Sequence, residues 1–589
     1  MAQDGTRRGF VERLPAWSRV VIGVVAVVVG AVIAIRPTTS LGVLALLIGA
    51  GLVLAGVLAL FERHRTVVRV ALAAAWVAAG VFVLLWPGLT VRMVILVVGA
   101  GLVVNGVVGA ASAFRGEQTL DARAAAVLLG VAGVVFGVLA LTWPDITLLV
   151  VGLVFGAWLV ITGAREVLRV VRGSRDNAPD AGRPPLWRRW LRTLGAVAAV
   201  LLAVVAGLVS AGIRGGSPVA DEFYAAPRDV PAEPGRLIRA EVFERGMPDD
   251  ARAWRILYTT TDLEGDPAVA SGLVIVPRDG SGDWPVIDWT HGTTGFDRGC
   301  APSILPAVLE SGAFLILDEV IDHGWAIVAT DYLGLGTEGP HPYLIGLPSG
   351  RAALDAVRAA RELDDARLGD RTVVWGHSQG GGAALWTGAI ADAYAPDVEL
   401  AGVAALAPAA NLPGMVENLT SVTGGSIFAS FVAAAYSAAY PDVTYREYIR
   451  PGAEVIVRQL ATRCLAAPGI VPSLVDLLGT SQDPRIFATD PSEGPLGQRL
   501  RENIPPATTT VPVLLAQGAS DGIIVPAAQD EFVASVCAAG MSVDYRRFAG
   551  LDHMPLVEPD SRLIPQLLQW TEHRFAGMPV EPGCVTTDH

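Results

Sequence analysis

The sequence predicts two folds in series. A membrane bundle of seven α-helical spans comes first, and an α/β domain with helices on both faces of a parallel sheet follows. Three observations carry this. Seven apolar stretches, each long enough to span about 30 Å of hydrocarbon, occupy the first 213 residues. From about residue 237 short β-type runs alternate with helical ones. One glycine-flanked serine, Ser378, falls where a β-type run turns into a helical one.

Composition agrees. Apolar residues make up 52% of the 589 positions, which is high for a soluble chain of this length. Disorder, collagen and coiled coil are excluded by the same figures. The length allows about three domains. The net charge of −13 is unevenly spread: up to Arg214 there are 20 Arg against 9 acids, and beyond it 24 against 48. An acidic second half makes nucleic acid an unsuitable partner. All four cysteines (Cys300, Cys464, Cys537 and Cys584) lie in that half, an even number that fits an oxidising compartment. Three pairings are open to them, and the sequence alone does not choose.

The spans are expected near 18–35, 41–61, 68–86, 91–114, 122–143, 146–168 and 193–213. Further spans follow the first, and no small-residue cleavage site separates it from them, so it is not read as a removable signal. Arginine marks alternate loops. Arg7, Arg8, Arg13 and Arg19 precede the first span; Arg63, Arg65 and Arg69 follow the second; Arg115 and Arg123 follow the fourth. Arg172, Arg175, Arg183, Arg188, Arg189 and Arg192 surround the sixth loop. The intervening loops (37–40, 87–90 and 144–146) are nearly uncharged. Positive loops stay inside, so the N-terminus is expected in the cytoplasm and the second half outside.

A repeat runs through these spans. Pro37, Pro87 and Pro144 each begin a unit of eleven further residues, then Gly-Ala, Gly or Trp, Leu-Val, two residues and Gly. Its glycines are Gly49 and Gly56, Gly99 and Gly106, Gly156 and Gly163. Small residues let helices approach closely in lipid, where burial of apolar surface gives no drive. On this repeat, residues 18–172 resemble the HdeD-like family of repeated-hairpin membrane proteins. The spans hold little charge. Asn105 is the notable polar residue at mid-span, and a hydrogen bond between helices accounts for it. A structural or anchoring role is therefore preferred over transport. The expected division is a tail (1–17), a six-helix domain (18–172), an Arg- and Pro-rich loop (173–192), a seventh helix (193–213) and a linker (214–236).

In the outer domain, expected at 237–589, strands are expected at 270–276, 285–289, 326–331, 372–375, 400–405, 511–516 and 543–548. A helix is expected at 349–364. The strongest motif is Gly376-His377-Ser378-Gln379-Gly380, after Arg371-Thr-Val-Val-Trp and before a helix-prone run. Strand, sharp turn and helix are what an exposed nucleophilic serine needs, with Gly376 and Gly380 making room for crossing chains. A serine needs a base, and the base an orienting acid. His553, in Gly550-Leu-Asp-His-Met after the last expected strand, is the preferred base. His573 reads as a solvated helix face and His589 as a mobile terminus. Asp521, at the end of Val511–Gly518, is the preferred acid over Asp552 and Asp544. Oxyanion donors are expected from the N–H of Gln379 and from Thr293 or Thr294 in His291-Gly-Thr-Thr-Gly, after the expected third strand.

With those residues in place, 221–580 resemble the secretory lipase family of α/β-hydrolases. The matching pieces are Phe223-Tyr224, Pro234-Gly235, Trp254-Arg-Ile-Leu-Tyr-Thr-Thr-Thr-Asp, His291-Gly-Thr, Ala301-Pro-Ser, Asp331-Tyr-Leu-Gly-Leu-Gly, Gly376-His-Ser-Gln-Gly and Gly518-Ala-Ser-Asp. The resemblance implies a lipase or carboxylesterase with Ser378, Asp521 and His553 as triad. It also implies a large helical cap inserted after the sixth strand, at 411–507. The membrane half departs from the family, whose members are usually secreted free. Cys300 with Cys464 and Cys537 with Cys584 is a guess among the three pairings. The reading is thus a membrane-anchored serine esterase at the outer face, taking a lipid or other ester at the bilayer and needing no cofactor or metal. Acyl transfer to an envelope acceptor, a stress or transport role for the bundle, and hydrolysis of a peptide are the alternatives.

Overall fold

A computed structural model describes residues 15–36, 50, 52–53, 57, 67–114, 120–172, 186–215, 218–280, 282–419, 422, 424–466, 470–480 and 486–589. The chain divides into two compact units. One comprises 1–215 with 450–456 and 474–486. The other comprises 216–449, 457–473 and 487–589.

The first unit is helical: α1 (Ala16–Ile35), α2 (Val67–Leu85), α3 (Pro87–Ser112), α4 (Leu120–Thr142), α5 (Pro144–Arg172) and α6 (Leu186–Gly215). Among the described residues five helices are long and apolar enough to cross a membrane, namely α1 and α3 to α6. The expected seven is thus not reached. The stretch 41–61 lies largely outside the described residues, and the apolar part of α2, Ala73–Leu85, is too short to count. The glycines act in pairs. A Cβ on Gly30 would meet the Gly156 carbonyl at 2.5 Å, and one on Gly163 would collide with that of Gly23, so α1 lies directly on α5. In the same way Gly106 meets Gly130 and Gly99 meets Gly137 between α3 and α4. Glycine permits this approach because it has no side chain to hold the backbones apart. Arg19 of α1 pairs with Glu166 of α5 at 2.6 Å. Asn105 departs from expectation: its side chain lies on an exposed face of α3.

The second unit is built on one ten-stranded sheet of order β1-β2-β3-β5-β4-β6-β7-β8-β9-β10. The strands are β1 (Leu237–Val242), β2 (Ala251–Thr261), β3 (Pro267–Pro277), β4 (Trp284–Thr290), β5 (Ala326–Tyr332), β6 (Leu368–His377), β7 (Glu399–Leu406), β8 (Val513–Gly518), β9 (Val543–Phe548) and β10 (Val585–Asp588). The seven expected strands are β3 to β9. The sheet is mixed rather than parallel, because β1, β2, β3 and β5 pair antiparallel while β5-β4-β6-β7-β8-β9-β10 run parallel. The loop carrying Thr293 and Thr294 accordingly follows the fourth strand, and residues 411–507 follow the seventh.

Period-two alternation puts each central strand into two cores. In β6, Val373 and Trp375 join a cluster with Trp289, Phe314, Trp325 and Trp570, whereas Val374 packs with Leu385, Val403 and Leu515 on the other face. Trp375 satisfies its buried indole N–H on Thr571 Oγ1 at 3.0 Å. Helices α7 (Leu317–Asp322), α8 (Gly346–Arg361) and α9 (Gln379–Tyr394) cover the strands up to β7. Between β7 and β8 lie α10 (Leu412–Asn418), α11 (Gly425–Ala439), α12 (Tyr445–Tyr448), α13 (Glu454–Leu460), α14 (Ile470–Thr480) and α15 (Gly494–Glu502). Helices α16 (Pro526–Ala538) and α17 (Leu563–Phe575) complete the order.

The disulfides are Cys300–Cys464 and Cys537–Cys584, as guessed. The second ties α16 to the residue before β10, so the chain end adds a strand parallel to β9. His589 is therefore not loose: its N–H donates to Arg547 and its ring stacks on Phe548 at 5.1 Å.

Candidate active site

Four loops beyond the C-terminal ends of β4, β6, β8 and β9 bring the expected residues to one edge of the sheet, where open α/β sheets place their sites. Ser378 sits between β6 and α9 with φ 59° and ψ −120°. A side chain in that region costs about 1–3 kcal/mol, so its surroundings must hold it there. They do so by hydrogen bonds: Ser378 N–H donates to Leu406, and its carbonyl accepts from Ala409 at 2.9 Å and Gly382 at 3.2 Å. The flanking glycines are obligatory on steric grounds. A Cβ on Gly376 would collide with the Gly380 carbonyl and Thr290 Oγ1, and one on Gly380 with the Thr290 carbonyl.

Asp521 and His553 meet directly. His553 Nδ1–H donates to Asp521 Oδ2 at 2.8 Å, with both side chains buried. Asp521 Oδ2 also accepts from Gln517 Nε2 at 3.1 Å, and Oδ1 from the N–H groups of Ile523 and Ile524 at 2.8 Å each. A carboxylate only accepts, so the proton of a neutral imidazole sits on Nδ1 and Nε2 keeps its lone pair. Asp552, the rival acid, serves the backbone instead. Its Oδ1 accepts from Gly522 N–H at 2.9 Å and His553 N–H at 2.7 Å, joining the two loops. These two backbone donors hold its carboxyl below the ordinary value. Asp544 pairs with Arg546 within β9 at 2.6 Å.

The Ser378 hydroxyl makes no hydrogen bond among the described residues. Its neighbour His377 supplies the tie to the imidazole: His377 Nε2–H donates to the His553 carbonyl at 3.2 Å, and the rings lie 4.5 Å apart. Burial drives His377 well below the usual histidine value, so this donor stays neutral and its tautomer is defined by the bond.

Gln379 opens α9, and its side-chain Nε2–H donates to His341 Nε2 at 3.0 Å. His341 can accept there because its Nδ1–H donates to the Leu333 carbonyl at 3.0 Å; burial lowers its pKa to about 3. Thr293 Oγ1 is joined to the Tyr343 hydroxyl at 3.0 Å. The Thr294 carbonyl accepts from Leu465 N–H at 2.8 Å, and Gly295 bridges to Cys464. With Cys300–Cys464, these bonds clamp the loop after β4 to the segment between α13 and α14. The roles of His341, Tyr343 and His377 were not expected from sequence. His341 lies 38 residues from Gln379 and Tyr343 50 from Thr293, and neither carries a motif, whereas His377 lies inside the serine motif.

The fold is that of lipase-like α/β-hydrolases, with a carboxylate–imidazole pair beside the turn that carries Ser378. The secretory lipase family model matches residues 305–583. A second model, a short repeat of unknown function, matches residues 21–70, 71–127 and 128–209, in agreement with the HdeD-like repeat. The chain is 26% identical to Lipase 6 of Candida albicans over 404 residues, covering 63% of this chain and 84% of that one. It is 28% identical, with the same coverage, to a Mycobacterium tuberculosis protein named Probable inactive lipase. Candida antarctica lipase A superposes with a TM-score of 0.52 at 18% identity over 63% of this chain and 90% of that one, a likeness of fold.

Proposed function

We propose that the chain is a membrane-anchored serine esterase of the outer face, hydrolysing carboxylic esters of lipids through an acyl-enzyme. The Asp521–His553 pair carries this reading, because it leaves His553 Nε2 as a base beside the elbow that presents Ser378. Ser378 Oγ attacks the ester carbonyl and its proton passes to His553 Nε2. Asp521 holds the ring and offsets the imidazolium charge. The Gln379 N–H, with Thr293 or Thr294, donates to the oxyanion. The alcohol leaves with the proton from His553, and water, deprotonated by the same nitrogen, releases the acid.

The names of the matched relatives, lipases and esterases, support the ester class. One relative is named probably inactive, but here Ser378, Asp521 and His553 are all present. The five apolar helices and the arginine-rich loops support an anchored protein with its N-terminus in the cytoplasm. Domain limits at 18–172, 193–213 and 237–589, seven spans, and a cap at 411–507 belong to the same proposal. The test is hydrolysis of p-nitrophenyl esters by the full chain and by Ser378→Ala. Wild-type turnover with loss of at least 1,000-fold in the variant is expected. Equal rates would end the assignment.

A further inference from the structure

The loop after β5 reaches the site twice within three residues. His341 accepts a hydrogen bond from the Gln379 side chain at 3.0 Å, and the Tyr343 hydroxyl meets Thr293 Oγ1 at 3.0 Å. The two rings stand 6.1 Å apart, so the Gln379 and Thr293 side chains are fastened to neighbouring points of one support. That support is itself held. His341 Nδ1–H donates to the Leu333 carbonyl at 3.0 Å. The Tyr343 ring lies edge-on to Phe431 of α11 at 5.6 Å, and the Leu344 carbonyl accepts from Tyr436 of the same helix at 3.0 Å. The residues before Thr293 lie against the serine turn. A Cβ on Gly292 would touch the His377 carbonyl at 3.3 Å, and one on Gly380 would meet the His291 carbonyl at 2.7 Å. Thr293 therefore stands beside the turn that carries Ser378.

We infer that the Thr293 hydroxyl is the second oxyanion donor and that Tyr343 positions it, which rests on the proposed hydrolase and decides between Thr293 and Thr294. The hydrogen bonds dictate the roles. The Tyr343 hydroxyl is buried, and Thr293 Oγ1 is its one partner among the described residues. A buried O–H has to donate, so Tyr343 is the donor and Thr293 the acceptor. Burial raises Tyr343 above the ordinary tyrosine value, so that proton stays in place at neutral pH. Thr293 then keeps its own proton free while one of its lone pairs is engaged. A hydroxyl that accepts a hydrogen bond is polarised and becomes the better donor. Thr293 is half-buried, open to an entering ester. Thr294 is fully buried, its Oγ1 is closed to solvent, and its carbonyl is held by the Leu465 N–H at 2.8 Å. As the ester carbonyl becomes tetrahedral its oxygen gains negative charge, and the Thr293 O–H and the Gln379 N–H converge on it. His341 braces Gln379 through its side chain, so one short loop sets both donors.

The test uses the full chain in phosphatidylcholine nanodiscs with a water-soluble p-nitrophenyl ester. Thr293→Val keeps the size of the side chain and the main-chain N–H and removes the hydroxyl. Its kcat is expected to fall about 100-fold or more, the cost of one oxyanion donor, while KM changes less than about three-fold. Inhibition by a trifluoromethyl ketone, which forms a tetrahedral adduct on the serine, is expected to weaken by about the same factor as kcat. Thr293→Ser retains a hydroxyl and is expected to stay within about five-fold of wild type. Thr293→Ala is a second hydroxyl-free variant, read by the same criteria as Thr293→Val. Tyr343→Phe keeps the ring on Phe431 and is expected to lower kcat about ten-fold, since the Thr293 hydroxyl loses its fixed direction. Added to Thr293→Val, it is expected to change kcat less than about two-fold, because the group it orients is gone.

A Thr293→Val rate within about three-fold of wild type overturns the inference. So does a larger loss in Thr294→Val than in Thr293→Val. Equal losses in Thr293→Ser and Thr293→Val also overturn it, since the position would then serve packing alone. Losses that multiply in the Thr293–Tyr343 double variant overturn the positioning role of Tyr343. Each of these results leaves the hydrolase standing where wild-type turnover depends on Ser378. A wild type that hydrolyses no ester removes the hydrolase, and the inference with it.

Discussion

Asp288 occupies the middle of β4, between Val328 of β5 and Val374 of β6. Its carboxyl is fully buried, and neither oxygen has a hydrogen-bond partner among the described residues. Burial alone pushes its pKa from the ordinary 3.8 up to about 8. The folded state therefore keeps this proton to higher pH than the unfolded chain does. Between the two values the unfolded state binds fewer protons, so stability falls as pH rises, by about 1.4 kcal/mol per pH unit. From these values the penalty is about 1 kcal/mol at pH 4.5 and about 4 kcal/mol at pH 7. Asp288→Asn has the same shape and no charge in either state. Its stability relative to wild type should therefore rise by about 3 kcal/mol between pH 4.5 and pH 7, roughly 4 °C of melting temperature for a unit of this size. Other raised carboxyls, such as Asp355 at about 6, are common to both proteins and cancel in the difference. The assay is thermal unfolding of both proteins in nanodiscs, followed by intrinsic fluorescence across that range. A gap that stays constant with pH would refute the reasoning, and would mean that water or an unseen donor reaches the carboxylate.

Three further outcomes are expected. Asp521→Asn should keep its fold yet lose about 10⁴-fold in kcat on soluble esters, because an amide donor in that place selects the wrong imidazole tautomer; steady-state kinetics checks it. Cys464→Ser opens a loop closed across 164 residues and should cost about 5 kcal/mol by chain entropy, seen as a lower melting temperature in thermal unfolding. Gly156→Leu drives a side chain into the Gly30 backbone and should reduce monodisperse protein several-fold in size-exclusion profiles. Gly109→Leu, where a Cβ meets nothing within 4 Å, should not.

Local patterns were legible where one physical cause dominates. Strands β3 to β8 carry apolar runs buried on both faces, and such runs mean a central strand in any context, whereas β9 shows itself by the alternation of buried Val543 and Tyr545 with partly exposed charged residues. Strand β2 was missed because Arg252 and Arg255 interrupt its pattern near the sheet edge, and β10 because Val585–Asp588 has no apolar pattern at all. Its pairing depends on the Cys537–Cys584 link and on the open edge of β9. The mixed sheet escaped notice for a related reason: direction is set by how short the β1–β2 and β2–β3 connections are, and these were not recognised without β1 and β2. The serine elbow was legible because Gly376 and Gly380 record close backbone approach in the sequence itself. The choice of Asp521 over Asp552 was made on strand position. The geometry adds the cause, since the Asp552 carboxylate is already taken by two backbone donors.

Taken alone, the order of residues determined the two-part architecture, the glycine repeat and the chain order of serine, acid and histidine. Each of these is written in spacing or composition, which survive without coordinates. Tertiary structure decided which side chains hold the site in place. His377 on the His553 carbonyl, His341 on Gln379 and Tyr343 on Thr293 join residues with no common period or motif. It also decided which glycines face each other, α1 against α5 and α3 against α4. Hydrogen bonds and burial depend on distances of a few ångströms between segments far apart in the chain, and no local pattern encodes those distances.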